Sequence, residues 1–316
     1  GVFTGLLRRL RDYRLECKQR ARTEPDPEKR REYGARQAAF KILINSFYGY
    51  LAFPGARFGD GALAAEVTRE GRELLRRLMD EFERLGCRLI EADTDGLYVS
   101  SETFFPEPEK LLGKAAAILP DGIGLEFDGR YDAMFCHKAK NYALRAGSKI
   151  TVRGSALRSR GTEPFLKRLT DALVRSLLGA PAEPPLALAE SLRRDIAAAR
   201  LPVAELAKSE TLGMGPEAYE AFVAAGGKPR RAAAEAALLM RPRPAAGERV
   251  RYFIAAGDGR LPDWRRARPL EAFDPDKLPY DTAHYTARLD DWLKRNAPFL
   301  EDGARGGAAG EQGELF

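Results

Sequence analysis

Asp93-Thr94-Asp95-Gly96 sets two carboxylates two residues apart, directly before a glycine. Clustered carboxylates repel each other and favour a bound hard cation, and Mg²⁺ takes one or two carboxylates together with substrate phosphates. In a site with two such ions, the metals stabilise the attacking and leaving oxygens of an in-line displacement. A second set lies upstream, where Lys41, Asn45 and Tyr48, with Gln37 before them, recur at helical spacing and share one side of a helix. A lysine and an asparagine on an exposed face grip phosphate, and a tyrosine stacks on a base or sugar. A basic helix facing a carboxylate hairpin suits a nucleoside triphosphate and its magnesium ions. The chemistry so indicated is nucleotidyl transfer. Each set also has a plainer reading. Asp and Gly favour solvated turns, and a polar stripe is the ordinary wet side of an amphipathic helix.

The elements that must hold these residues are legible around them. Leu89-Ile90-Glu91-Ala92 and Leu97-Tyr98-Val99-Ser100 are apolar runs on either side of the acidic turn, which is a hairpin pattern. Phe40, Leu43, Ile44 and Phe47 give the upstream helix its apolar side, and an earlier helix is predicted from about Thr4 to Arg22. Pro25-Asp26-Pro27 separates the two, because a proline disfavours helix at the residue before it. Leu63 to Leu85 reads as a helix with Leu63, Val67, Leu74, Leu75, Leu78 and Phe82 inward. Strands are predicted at Leu125-Glu126-Phe127, Met134-Phe135-Cys136, Tyr142-Ala143-Leu144 and Ile150-Thr151-Val152. After Gly154 helices dominate, at Pro164–Leu178, Pro185–Ala199, Pro216–Ala224 and Arg231–Met240. A strand at Val250–Ile254 follows, then a last helix over about Thr282–Arg295. No internal repeat is visible.

Arg36-Gln37-x-x-x-Lys41-x-x-x-Asn45-Ser46-x-Tyr48-Gly49 followed by Asp93-Thr94-Asp95 closely resembles family B DNA polymerases, as their fingers and palm motifs. The form with Gly96 after the second Asp resembles the archaeal type. Arg14 and Lys18 are similar to the basic pair of the first fingers helix. Phe135 to Ala143 resembles the Lys-Lys-x-Tyr motif that grips primer-template, with Ala139 in place of its first lysine and Lys138 one position earlier. Val152-Arg153-Gly154 with Arg160 resembles the entry to the thumb, and Tyr252-Phe253-Ile254, Pro279-Tyr280-Asp281 and Tyr285 resemble later thumb landmarks. The resemblance implies an α+β chain: a helical fingers hairpin over 1–50, part of an antiparallel palm sheet over 51–153, and a mainly helical thumb over 154–302. It also implies roles. Asp95 is a ligand of the catalytic metals, with Asp93 as a supporting carboxylate. Arg14, Lys18, Lys41 and Asn45 bind the incoming triphosphate, and Tyr48 sits against the nascent base pair. Lys140, Tyr142, Arg153 and Arg160 hold the duplex. The family's first palm motif, with the other metal-binding aspartate, has no counterpart here, nor has the proofreading exonuclease. The expectation is a C-terminal polymerase portion, inactive alone, belonging to a longer chain or paired with a separate N-terminal half. The alternative is a non-catalytic DNA- and clamp-binding subunit derived from a polymerase.

The 316 residues suggest two or three compact units. A hydrophobic content of 44% supports ordinary cores and argues against global disorder. Lys plus Arg outnumber Asp plus Glu 52 to 46, a net charge of +6 with the right sign for a phosphate backbone. Cys17, Cys87 and Cys136 are too scattered for a disulfide framework, and with only His137 and His284 a Cys/His zinc site is nearly excluded. No signal peptide or apolar run of spanning length is visible, which fits the cytoplasm and no membrane partner. Residues 303–316 read as a Gly/Ala-rich tether ending in Gln312-x-x-Leu315-Phe316. That ending resembles the peptide by which bacterial polymerases hold the sliding clamp, with Leu315 and Phe316 in an apolar pocket and Gln312 at its rim.

Overall fold

Asp26 accepts a hydrogen bond from the Glu28 backbone N–H at 2.8 Å, and Pro27 opens the helix behind it. A proline at the first helical position forfeits only a donor that the helix leaves unpaired anyway. This cap starts α2 (Pro27–Ala52), which returns antiparallel along α1 (Val2–Thr23) in a computed structural model describing residues 2–93, 96–138, 140–154 and 161–304. Along α1, positions 7, 10, 14, 17 and 21 turn inward, and along α2 positions 33, 37, 40, 44, 47 and 51 do so. Spacings of three and four make the narrow seam of a two-helix coil. Phe3 meets Phe47 at 6.0 Å between ring centres, Tyr13 meets Phe40 at 4.8 Å, and Arg20 donates to the Tyr33 hydroxyl at 3.2 Å. No residue of α2 is buried, so that helix is held along one side only.

The chain forms two units, Gly1–Glu81 with Ala117–Ile123, and Phe82–Ala116 with Gly124–Phe316. The first unit continues into α3 (Gly61–Arg84), whose Arg77 reaches the Ile118 carbonyl at 2.8 Å. Ala64 and Leu78 are buried on this helix, while Leu63 and Val67 are each 49% exposed. The expected inward stripe is thus displaced by one residue at its start, with the small Ala64 taking the buried place.

The second unit begins with β1 (Arg88–Asp93), β2 (Gly96–Ser100) and α4 (Pro108–Ala115). It continues with β3 (Ala133–Lys138), β4 (Asn141–Ala146) and β5 (Lys149–Arg153). These strands form two separate antiparallel sheets, β1-β2 and β3-β4-β5, rather than one. Leu125-Glu126-Phe127 is not a strand, and Phe127 remains 38% exposed. No described strand pairs with it, and β pattern without a partner does not persist. Beyond Gly154 come α5 (Pro164–Leu177), α6 (Pro185–Ala197), α7 (Val203–Leu206), β6 (Lys208–Thr211), α8 (Pro216–Ala224) and α9 (Ala232–Leu239). β7 (Arg249–Ile254), α10 (Asp263–Arg266), β8 (Ala267–Pro269) and α11 (Thr282–Ala304) complete it. Helices dominate here as expected, around a three-stranded sheet β6-β7-β8 that the polar Lys-Ser-Glu-Thr of β6 conceals in the sequence.

Phe165, Leu169, Ile196, Val250, Phe253 and Leu289 are all fully buried in the main core of this unit. A smaller cluster seats β3-β4-β5 on α5, where Ala143 packs with Val174 and Leu178. The architecture is α+β, with small antiparallel sheets set among helices.

Candidate functional site

β1 and β2 pair from Arg88 opposite Ser100 to Asp93 opposite Gly96, so only Thr94 and Asp95 connect the strands. Those two residues lie outside the described ones, and for Asp93 the structure gives the backbone position at the end of the ladder. Leu89 pairs with Val99, yet Glu91 rather than Ile90 pairs with Tyr98. This bulge moves Glu91 to the face of Tyr98, because one inserted residue inverts the alternation beyond it. Val99 and Ser100 are buried and anchor the hairpin at the opposite end from the acidic turn.

The neighbouring sheet carries a second irregular turn. Cys136 pairs with Tyr142 and Lys138 with Asn141, leaving His137 as the extra residue. Lys140 has φ +62°, a left-handed backbone unusual for a residue with a side chain. Gly154 has φ +86°, and a Cβ there would stand 2.3 Å from both the Lys140 carbonyl oxygen and Asn141 Oδ1. Only glycine permits so close an approach.

Among the described residues, contacts of Glu91 and Tyr98 join the hairpin to the neighbouring turn and strand. Glu91 Oε1 accepts from the Lys140 backbone N–H at 3.3 Å. The Tyr98 and Tyr142 hydroxyls lie 3.2 Å apart, with ring centres at 5.2 Å. Burial and then the Tyr142 hydroxyl push the Tyr98 phenol well above its ordinary range. Burial and then Asp128 push the nearby Tyr131 phenol up as well. Tyr98 and Tyr131 thus stay protonated, and the Tyr98 hydroxyl spaces the hairpin from the Tyr142 hydroxyl by a hydrogen bond. Tyr142, expected to hold the duplex, is only 7% exposed. Its strand partner Arg153 is exposed, as is Lys140.

In the first unit, Lys41, Asn45 and Tyr48 are exposed along α2. Gln37, read as continuing their stripe, lies half-buried on the packed seam, whereas Leu43, assigned to the apolar side, is 45% exposed. The partner helix shifts the inward face toward Tyr33 and Gln37, a rotation invisible in α2 alone. Arg14 and Lys18 lie half-buried on α1, and Arg14 Nε has no hydrogen-bond partner among the described residues. Since Tyr13 faces Phe40, Arg14 and Lys41 stand at nearly one level, about 3 Å apart along the hairpin axis at 1.5 Å per residue.

The structure therefore groups Lys140, Tyr142 and Arg153 with the Asp93 hairpin, and Arg14 with the level of Lys41, while Lys18 stands about one turn further along α1. Arg160, Asp95, Gln312, Leu315 and Phe316 lie outside the described residues. Nothing in the residue types of Glu91, Tyr98 or Asn141 announces a role in the sequence. Gly154, next to a predicted strand end, was the one available signal of a close backbone approach. Among the described residues no group of three or more His, Cys, Asp or Glu side chains could hold a metal ion. None of their helices is long and apolar enough to cross a membrane.

The fold is that of a known class of chain. It superposes with TM-score 0.64 on the family B DNA polymerase from the hyperthermophilic archaeon Pyrobaculum calidifontis, at 24% identity, covering 98% of this chain and 38% of that one. The family model for DNA polymerase family B matches residues 1–296. Pyrococcus glycovorans DNA polymerase is 30% identical over 295 residues and that of Desulfurococcus sp. 29% over 293. In both pairs the alignment covers 90% of this chain and 37% of the relative. The chain belongs to DNA polymerase family B, and it spans a little over a third of the length of these relatives.

Proposed function

We propose that this chain is the C-terminal fingers, palm and thumb portion, over 1–50, 51–153 and 154–302, of a DNA-directed DNA polymerase. It would carry template-directed nucleotidyl transfer to a primer 3′ end. The observation that carries the reading is the family match over 1–296, with its acidic motif at the end of a paired hairpin. The donors offered at that hairpin are carboxylate oxygens, which suit Mg²⁺. Asp95 would ligate the ions and Asp93 support them. When bound, Mg²⁺ would stabilise charge on the reacting phosphate oxygens. The remaining ligands would come from the rest of the polymerase, since the alignment with this chain covers 37% of the relative's length.

The chain's own residues would do the positioning. Lys41, Asn45, Arg14 and Lys18 bind the triphosphate of a deoxynucleotide, and Tyr48 faces the new base pair. Lys140, Arg153 and Arg160 contact the primer-template backbone. Tyr142 supports the turn of Lys140 from beneath, through its bond to Tyr98. Gln312, Leu315 and Phe316 bind a bacterial sliding clamp.

Asp95→Asn in the completed polymerase tests this. Primer extension should fall to background while duplex binding stays within about twofold, because a metal ligand is lost and no DNA contact is. The chain alone should bind duplex but not extend it. Near wild-type extension by Asp95→Asn would refute the metal role.

A further inference from the structure

Glu91 is a carboxylate placed beside a turn whose lysine is read as a DNA contact. A negative charge there repels phosphate, so on charge alone it opposes binding. Its geometry supplies a different role. The bulge at Ile90 sets Glu91 opposite Tyr98, on the side where Oε1 receives the Lys140 N–H at 3.3 Å. The same turn is pinned from a second direction, because the Lys140 carbonyl and Asn141 Oδ1 crowd Gly154. A third tie is the Tyr98–Tyr142 hydroxyl pair, made by the strand partner of Glu91 and by the residue two beyond Lys140. Lys140 meanwhile holds φ +62°, a conformation that persists only where its surroundings impose it.

We infer that Glu91 is a positioning residue: its carboxylate clasps the Lys140 turn to the Asp93 hairpin and so fixes where the Lys140 ammonium meets a backbone phosphate. This rests on the reading of Lys140 as a duplex contact. The clasp uses an acceptor oxygen and not the charge, so glutamine can replace glutamate here and alanine cannot.

The test is duplex binding by this chain, read by fluorescence anisotropy across a salt titration. Lys140→Ala should weaken binding about tenfold, as for a lost charge-assisted contact, and lower the log–log salt slope by about 0.9. Glu91→Ala should reproduce both changes. Glu91→Gln should bind at least as tightly as wild type, having kept the acceptor and shed the repulsion. The double variant Glu91→Ala with Lys140→Ala should be no weaker than Lys140→Ala. If Glu91→Ala does not fold, Glu91→Ser, too short to reach the Lys140 amide, takes its place. Tighter or unchanged binding by Glu91→Ala with an unmoved salt slope overturns the clasp, as do additive effects in the double variant. If wild type binds duplex and Glu91→Ala is unaffected, this inference alone fails. If wild type does not bind duplex at low salt, the reading of Lys140 fails and the inference falls with it.

Discussion

At the scale of single residues, the proposed site residues differ in exposure, Arg14 and Lys18 being half-buried on α1. Lys41, Asn45 and Tyr48 present themselves on α2, and their helical spacing made them legible in the sequence. Gln37 has that same spacing and faces the seam, because α1 decides which arc of α2 turns inward. Lys41→Ala should impair nucleotide use far more than duplex binding, by about 1.5–3 kcal/mol for a lost charge-assisted contact. Single-turnover kinetics over a nucleotide titration would show weaker apparent affinity, slower incorporation or both, and unchanged kinetics would remove Lys41 from the triphosphate. Gly154 gives a prediction of another kind. Gly154→Ala meets a left-handed φ and a backbone oxygen 2.3 Å from its new Cβ. Denaturant titration should show a loss of more than about 1 kcal/mol, with weaker duplex binding as the Lys140 turn shifts.

Elements were legible where local chemistry punctuates them. Pro164, Pro185 and Pro216 each open the predicted helix at its first residue. Long-range packing defeats the local reading elsewhere. The sequence pattern predicts that the last helix stops near Arg295, yet α11 continues through Pro298. Leu300 is buried beyond that proline, and Phe299 packs on Phe135 with ring centres 5.2 Å apart, so tertiary contact holds the extra turns. α11 also reaches the start of α5. Arg288 donates twice to the fully buried Glu163, at 3.1 Å to each oxygen, and Lys208 of β6 stands 3.5 Å away. Burial disfavours the Glu163 carboxylate, but Arg288 and Lys208 prevail and hold its pKa below the usual range. A folded-state pKa below the unfolded value of about 4.3 stabilises the protein above that pH, and the contribution is lost as pH falls through the folded value. Glu163→Gln should therefore flatten the acid limb of the stability–pH curve, measured as thermal midpoint from about pH 6 to pH 3. Arg288→Ala should cost about 3–5 kcal/mol, because it strips the main partner from a buried charge. An unchanged midpoint would show that Lys208 suffices.

At the scale of the whole chain, the α+β class and the family followed from the resemblance of the ordered motifs to family B DNA polymerases, and the separate sheets did not. Which strands share a sheet depends on hydrogen bonds that no periodicity encodes, and among the described residues side-chain ties from Glu91 and Tyr98, rather than a backbone ladder, link β1-β2 to β3-β4-β5. The tail yields the remaining prediction. A peptide covering residues 303–316 should bind a bacterial sliding clamp at micromolar strength, since ordering a short free peptide offsets much of the apolar gain. Leu315→Ala with Phe316→Ala should abolish it, each side chain contributing about 1.5–3 kcal/mol when fully buried. Tethering on DNA would make that affinity sufficient. A labelled peptide without saturable binding would reduce the motif to coincidence.

The bond between Arg288 and Glu163 spans 125 residues, and that from Trp292 Nε1 to Thr170 Oγ1 spans 122. At a ribosomal rate of about 5–20 residues per second, Glu163 is made roughly 6–25 s before its arginine. The α1–α2 hairpin needs no such wait, because its Arg20–Tyr33 contact spans 13 residues. During translation the hairpin can close behind the ribosome, while α5 emerges with its carboxylate still wet. A transcript cut short before α11 would therefore yield chains with a settled hairpin and an open, apolar C-terminal half, the form that quality-control proteases remove first.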